Sequence, residues 1–246
     1  MNYYETGHAK NVANFEELVN ILTGYGVPYN PSKNAIKLPA LNTLVGNVKT
    51  SMFAVNTALA TYKTAVNARE VAFEPLSRLA TRILNAIIAT DTTEQVDDSA
   101  KSYVKKIQGR RTTAKLTEEQ KQQLVADGKP VNEVSTSQMS YDNRLDNFDK
   151  LIKLVAAIPQ YVPNEIDLKL VALNTLYADL KAKNLSVISA HTNLTNARIA
   201  RNDLLYKALS GLVDLAFDIK TYIKSIFGTQ SPQFKQVSGI KFTSIA

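Results

Sequence analysis

The chain has no cysteine and no tryptophan, and only two of its 246 residues are histidine, His8 and His191. Without thiols there can be no disulfides, thiolate metal sites or cysteine nucleophiles. Two histidines are too few for a histidine-built metal or acid–base centre. No run approaches about 18 apolar residues, so no membrane-spanning helix is expected. The start, Met1 to Thr6, has neither a basic end nor an apolar stretch behind it. No secretory signal is therefore expected, and the cytoplasm is the expected compartment. What is present is ordinary for a folded protein: 45% hydrophobic and 21% charged residues. The length suffices to bury a core, and a single helical domain over 1–246 is the expectation.

A repeat organises the chain. Asn14-Phe15-Glu16-Glu17-Leu18-Val19 recurs as Asn147-Phe148-Asp149-Lys150-Leu151-Ile152, and Tyr29-Asn30-Pro31 as Tyr161-Val162-Pro163. Ala40-Leu41-Asn42-Thr43-Leu44 returns letter for letter as Ala172 to Leu176. The spacing is 132 or 133, and it also brings Val55 onto Val187 and Arg69 onto Arg201. Lys101 to Gly109 resembles Lys220 to Gly228 at a spacing of 119. That shorter spacing places extra residues in the first copy, most simply the polar stretch 91–99. The repeats are thus 14–109 and 147–228, joined by a linker at 110–139 and followed by a tail at 229–246. The expected fold is all-α: an elongated up-and-down bundle of two pseudo-symmetric repeats, ending in an extended C-terminal tail.

Each repeat reads as a short helix and a long one. In the first, Asn14 is placed to cap a helix, with Glu17 at the capping-box spacing. Gly24, Gly26, Pro28 and Pro31 close it. In the second, a short helix is expected from about Ser140 to Ile158. From Asn164 to Phe227 there is no proline and one glycine, Gly211. Ile166, Leu170, Leu173, Tyr177 and Leu180 recur in steps of four and three, as do Leu205 to Ile226. That average of 3.5 marks a coiled-coil-like seam. Asn184, His191, Arg198 and Arg201 fall on the seam between the two apolar ends. Either the helix bends near Thr192–Asn196 or the stripe changes phase there, and a change of phase costs less. Pro75 should kink the first long helix or begin a new one, whereas the matched Lys207 imposes nothing.

Within the linker, Thr117 and Gln120 form a capping box ahead of a small helix ending at Asp127-Gly128. In the tail, Phe234, Val237, Ile240 and Phe242 alternate with polar residues as in an extended segment. They would be costly to expose, so the tail is expected to lie in a groove of its own bundle or to present itself to a partner, in preference to being disordered.

Formal charge is +7, from 29 Lys and Arg against 22 Asp and Glu. Lys101, Lys105, Lys106, Arg110, Arg111 and Lys115 have no acid among them, and Lys220, Lys224, Lys235 and Lys241 follow the last acid, Asp218. These stretches, 101–115 and 220–241, are candidates for nucleic acid or another phosphate. The same cations at helix ends also complement the helix dipole. No helix-turn-helix or zinc-finger spacing accompanies them. His191, Arg198 and Arg201 form a candidate polar mid-bundle cluster, read chiefly as a device that fixes helix register. Phosphate-loop, dinucleotide, nucleophile-elbow and zinc-protease motifs are all missing. No catalytic residue, metal or cofactor is expected, nor is a small-molecule substrate. The apolar run Ile83 to Ala89 is too short for a membrane pore.

Ser137 to Phe148, Asn196 to Asp203, and the stretch from Phe227 through Lys235 resemble a group of helical proteins of unassigned function found in Bacteroidota genomes. The resemblance covers about the last 110 residues. It implies a bacterial, intracellular protein and brings no activity or site residue. The sequence thus points to a non-enzymatic structural or protein-interaction bundle, with self-association or a protein partner. Nucleic-acid or phosphate binding is the alternative.

Overall fold

The computed structural model describes residues 7–110, 117–128 and 139–244. Among these every regular element is helical and no strand occurs. In chain order the helices are α1 (His8–Tyr25), α2 (Leu38–Phe73), α3 (Leu76–Ile88), α4 (Glu94–Ile107), α5 (Glu118–Ala126), α6 (Tyr141–Ala156), α7 (Leu170–Tyr206), α8 (Leu212–Phe227) and α9 (Pro232–Ser238). Single 3₁₀ turns precede α2, at Asn34–Ile36, and α7, at Ile166–Leu168. No described helix is long and apolar enough to cross a membrane.

The chain divides into two compact units, residues 1–62 with 190–246, and residues 63–189. Neither unit is one sequence repeat. The first joins the opening of repeat one to the close of repeat two, and the second does the converse. α2 and α7 each give residues to both.

In the first unit, Phe15, Leu18 and Leu22 of α1 are fully buried with Leu41 of α2, Leu205 of α7, and Leu212, Ala216 and Ile219 of α8. In the second, Phe148 and Leu151 of α6 are buried with Phe73, with Leu76, Ala80 and Ile83 of α3, with Ile107 of α4 and with Leu173 of α7. Burial of this kind is what holds amphipathic helices together. The buried positions recur at fixed spacing. Leu41, Val48, Val55 and Phe73 on α2 return 132 residues later as Leu173, Leu180, Val187 and Leu205 on α7. Leu76, Ala80, Ile83 and Ile87 on α3 return after 136 as Leu212, Ala216, Ile219 and Ile223 on α8. α8 therefore stands where α3 stands, directly after the long helix. The expected match of 101–109 with 220–228 sets part of α4 on part of α8, and the spacing of 136 is an alternative to it. Both spacings align buried residues: 119 sets Ala100 and Val104 on Ile219 and Ile223, and 136 sets Ile83 and Ile87 on the same two.

Other expectations change too. α1 opens at Gly7 (φ 120°), so Asn14 is mid-helix and buried, not a cap. Residues 94–99 are not loop: Glu94 and Asp97 occupy the first turn of α4, where carboxylates suit the helix N-terminus. Pro75 does end one helix and precede the next. α7 runs through Thr192–Asn196 without interruption. At mid-helix the buried position moves by one residue, from the expected His191 to Ala190, between Val187 and Leu194.

The real break is at Lys207–Gly211, where Leu209 takes a left-handed φ of 65° and donates its N–H to Asp214 Oδ2 at 2.8 Å. A Cβ on Gly211 would lie 2.6 Å from the Lys207 nitrogen, so only glycine fits that turn. Ser140 caps α6, and Thr117 and Gln120 form the reciprocal box that starts α5. The tail is not extended throughout. Ser231 accepts the Phe234 N–H at 3.1 Å and Pro232 begins the seven-residue α9, so capping prevails over alternation. Residues 240–244 that follow are irregular.

Candidate functional site

The tail packs into a groove of the first unit, between α1 and α8. Val237 is fully buried, Ile240 is 8% exposed, and Phe234 and Phe242 are half-buried against the same core. Phe242 meets Phe15 edge to face at 6.4 Å. Its backbone is gripped by side chains. The Tyr25 hydroxyl donates to the Gln233 carbonyl (2.9 Å), and Asn14 Nδ2 to that of Lys241 (2.6 Å). Asn11 Nδ2 donates to the Thr243 carbonyl (2.8 Å) while its Oδ1 accepts the Thr243 N–H (3.0 Å). Lys220 donates to the Ile240 carbonyl and lies 5.3 Å from the Phe242 ring centroid. Burial, then the neighbouring Lys241, holds the Lys220 ammonium below its ordinary pKa. A carboxamide that pairs both main-chain groups of one residue acts like a strand neighbour supplied by a helix.

The four tail residues expected to meet a partner thus face their own unit. Asn11 is not marked by the sequence pattern, and Asn14 is marked there only as a cap; both bond to the tail. The available signal was two amides three apart on the stripe that also carries Phe15 and Leu18. On a buried face, amides require partners.

The same frame in the second unit is finished differently. Asn147, at the place of Asn14, donates to Asn143 of its own helix (2.7 Å). Arg144, at the place of Asn11, donates Nη2 to the Phe73 carbonyl (3.1 Å), and burial holds its pKa below the usual value. Phe73 and Tyr141 pack edge to face at 4.9 Å, and the Arg69 guanidinium lies 3.8 Å over the Tyr141 ring. Arg69 donates to Asn184 Oδ1 (3.0 Å), whose Nδ2 donates to Asp142 (2.7 Å). The Nε atoms of Arg69 and Arg144 are buried without a protein partner. In the first unit His8, 133 residues before Tyr141, pairs instead with Tyr206, whose OH lies 2.8 Å from His8 Nδ1. Burial, then the charge of Arg201, lowers the His8 pKa.

Two further correspondences frame the units. The Tyr29 hydroxyl donates to the Ile36 carbonyl (2.5 Å), and the Tyr161 hydroxyl to that of Leu168 (3.1 Å). Lys33 pairs with Asp218 at 2.5 Å, and Arg82 pairs with Asp167, joining the 3₁₀ turn to α8 in one unit and to α3 in the other with the charges reversed.

The expected mid-bundle cluster does not assemble as a buried set. His191 and Arg198 are exposed, because the buried face at that level uses Ala190 and Leu194. His191 packs beside Tyr62 at 5.5 Å, and the half-buried Arg201 donates to Asn202. The basic stretches fall in different units, 101–110 in the second and 220–241 in the first. Lys101 pairs with Asp98 at 3.0 Å, and Lys220 is engaged with the tail. Lys105, Lys106 and Lys224 lie on α4 and α8, and Arg110 just beyond α4. Arg111 and Lys115 lie outside the described residues.

A second concavity of the first unit, about 390 Å³, is lined by Thr50, Phe53, Ala54, Thr57, Ala58 and Ala190. Phe53 at its edge is 72% exposed. Among the described residues no cluster of His, Asp or Glu has the arrangement of a metal site. Comparison with protein-family models, curated proteins and solved structures gives no match.

Proposed function

We propose that this chain is a non-enzymatic structural or protein-interaction module of the cytoplasm, an up-and-down helical protein grown from a duplicated helical unit. The recurrence of buried positions at spacings of 132 and 136 supports the duplication. So do the paired tyrosine-to-carbonyl bonds at Tyr29 and Tyr161. An experimental structure in which residues 14–45 do not superpose on 147–177 would overturn it.

One observation carries the interaction reading: the middles of both long helices are uncharged yet exposed. α2 has no charged residue between Lys49 and Lys63, and α7 none between Lys183 and Arg198. Phe53, Leu185 and Ile188 are more than half exposed there. A chain of net charge +7 meets no like-charge repulsion on such faces, and exposed apolar side chains gain by being covered. The expected partner is a second copy or another protein. Light scattering over a dilution series should show a mass above that of one chain, falling with dilution, and Phe53→Asp should abolish it. A wild-type chain that stays monomeric throughout removes self-association. A native pull-down scored with and without nuclease then decides whether another protein binds.

Phosphate binding through Lys105, Lys106, Arg110, Arg111, Lys115 and Lys224 has less support, since Lys101 and Lys220 have protein partners. Retention of DNA, RNA or anionic vesicles that falls steeply with salt would favour it over the first reading.

A further inference from the structure

The groove that holds the tail is built to read a peptide backbone. Five hydrogen bonds run from Tyr25, Asn11, Asn14 and Lys220 to main-chain atoms of Gln233, Ile240, Lys241 and Thr243. Side-chain selectivity comes from the apolar seats of Val237, Ile240 and Phe242. Asn11 and Asn14 are 1% and 8% exposed. With the tail in place both amides bond to its main chain, and Asn11 Nδ2 also lies 3.3 Å from the Tyr206 hydroxyl, so a bound backbone supplies the partners that their burial requires. The second unit makes the contrast. At the same two positions Arg144 bonds through Nη2 to the Phe73 carbonyl and Asn147 to its own helix, with no peptide between them.

The tail that fills this groove is joined to its unit by a short connection. α8 ends at Phe227, Gly228 takes a φ of 85°, and α9 begins at Pro232. Opening those few residues frees the whole segment without disturbing α8.

We propose that this groove is a peptide-recognition site whose occupant in trans is the C-terminal segment of a second copy, residues 232–244, exchanged between protomers. The argument for that occupant is the sequence already seated there. Every copy carries an identical segment that makes the same hydrogen bonds and fills the same apolar seats, so exchange changes no contact apart from the hinge. In one isolated chain the tethered segment wins, because its effective concentration is on the order of millimolar. This surface is separate from the uncharged faces of α2 and α7, and Phe53→Asp should leave it unaltered.

The test uses full-length chains. Val237→Asp places a charge in a fully buried seat and should eject the chain's own tail while leaving the groove intact. A fluorescent peptide of residues 230–244 should then bind Val237→Asp at least tenfold more tightly than wild type. Adding Asn11→Ala and Asn14→Ala should remove at least tenfold of that affinity, and a scrambled peptide should not bind. Mixing Val237→Asp, which has an open groove and a defective tail, with the Asn11→Ala/Asn14→Ala chain, which has the reverse, should yield a 1:1 complex of twice the single-chain mass.

If Val237→Asp loses its helical circular dichroism, Phe242→Ala serves as the release variant. A folded release variant that binds no peptide, or binds the scramble equally, overturns the recognition site. Peptide binding without the mixed complex overturns the second copy as its occupant.

Discussion

The two units close their helices by different means, and the difference shows what each spare polar position does. In the second unit, α4 packs directly on α6, and the polar residues at 144 and 147 find partners in the Phe73 carbonyl and in α6 itself. In the first unit, α9 and the residues after it pack on α8 and α1, and the equivalent positions carry two asparagines turned toward the tail's backbone. One solution is a helix covering a helix, and the other is a peptide held by side chains. The apolar seats are alike, so the choice rests on a few polar residues.

The largest effect that sharpens this comparison is in the two cores. Phe15→Ala and Phe148→Ala each remove a fully buried ring and should cost about 3–5 kcal/mol in urea unfolding. Only the first should also speed hydrogen exchange at the Thr243 amide, because Phe15 touches Phe242. Equal acceleration by Phe148→Ala would erase the distinction.

Next come the amides. Asn11→Ala leaves both main-chain groups of Thr243 unpaired and should cost about 1–3 kcal/mol. Asn147→Ala loses a bond to a carbonyl of its own helix and gains helix propensity, so its cost should stay under about 1 kcal/mol. Urea midpoints of the two variants compare them directly, and a larger loss at 147 would break the reading.

The smallest effect is alkaline. Burial keeps the Tyr161 phenol neutral, pushing its pKa up to about 12, and raises that of Tyr29 further, with Tyr222 adding to it. The unfolded chain loses these protons above about pH 10 while the fold retains them. The contribution is therefore whole below that value and declines as pH rises through the folded pKa. Tyr29→Phe and Tyr161→Phe should each flatten the fall in stability above pH 10, as read from urea midpoints between pH 8 and 11.

Much of this frame could be read in the sequence. Ser140, Thr117 with Gln120, Gly26 and Pro75 mark helix ends through local chemistry, and the structure places ends there. The apolar stripes of α6 and α8 were readable because periodicity reports which face of one helix is buried. The break at Lys207–Gly211 was not readable. Leu209 is a poor candidate for a left-handed turn, and Gly211 matters through a close approach that only coordinates reveal. The opening of α1 was misplaced because Asn14 and Glu17 have a cap's spacing while Asn14 is committed to Lys241. That bond spans most of the chain, and no local pattern encodes it. The candidate site was half visible for the same reason. Phe234, Val237, Ile240 and Phe242 stood out as apolar, but the amides that hold them lie on the first helix.

The discontinuity of the first unit has a consequence for synthesis. Every residue of the second unit is made before residue 190, so that unit can form before the second part of the first unit, 190–246, is made. Asn11 is made 232 residues ahead of Thr243 and must wait for it. Until α8 and the tail are made, α1 is left with an open apolar side, and the first unit closes only when residues 233–243 reach α1.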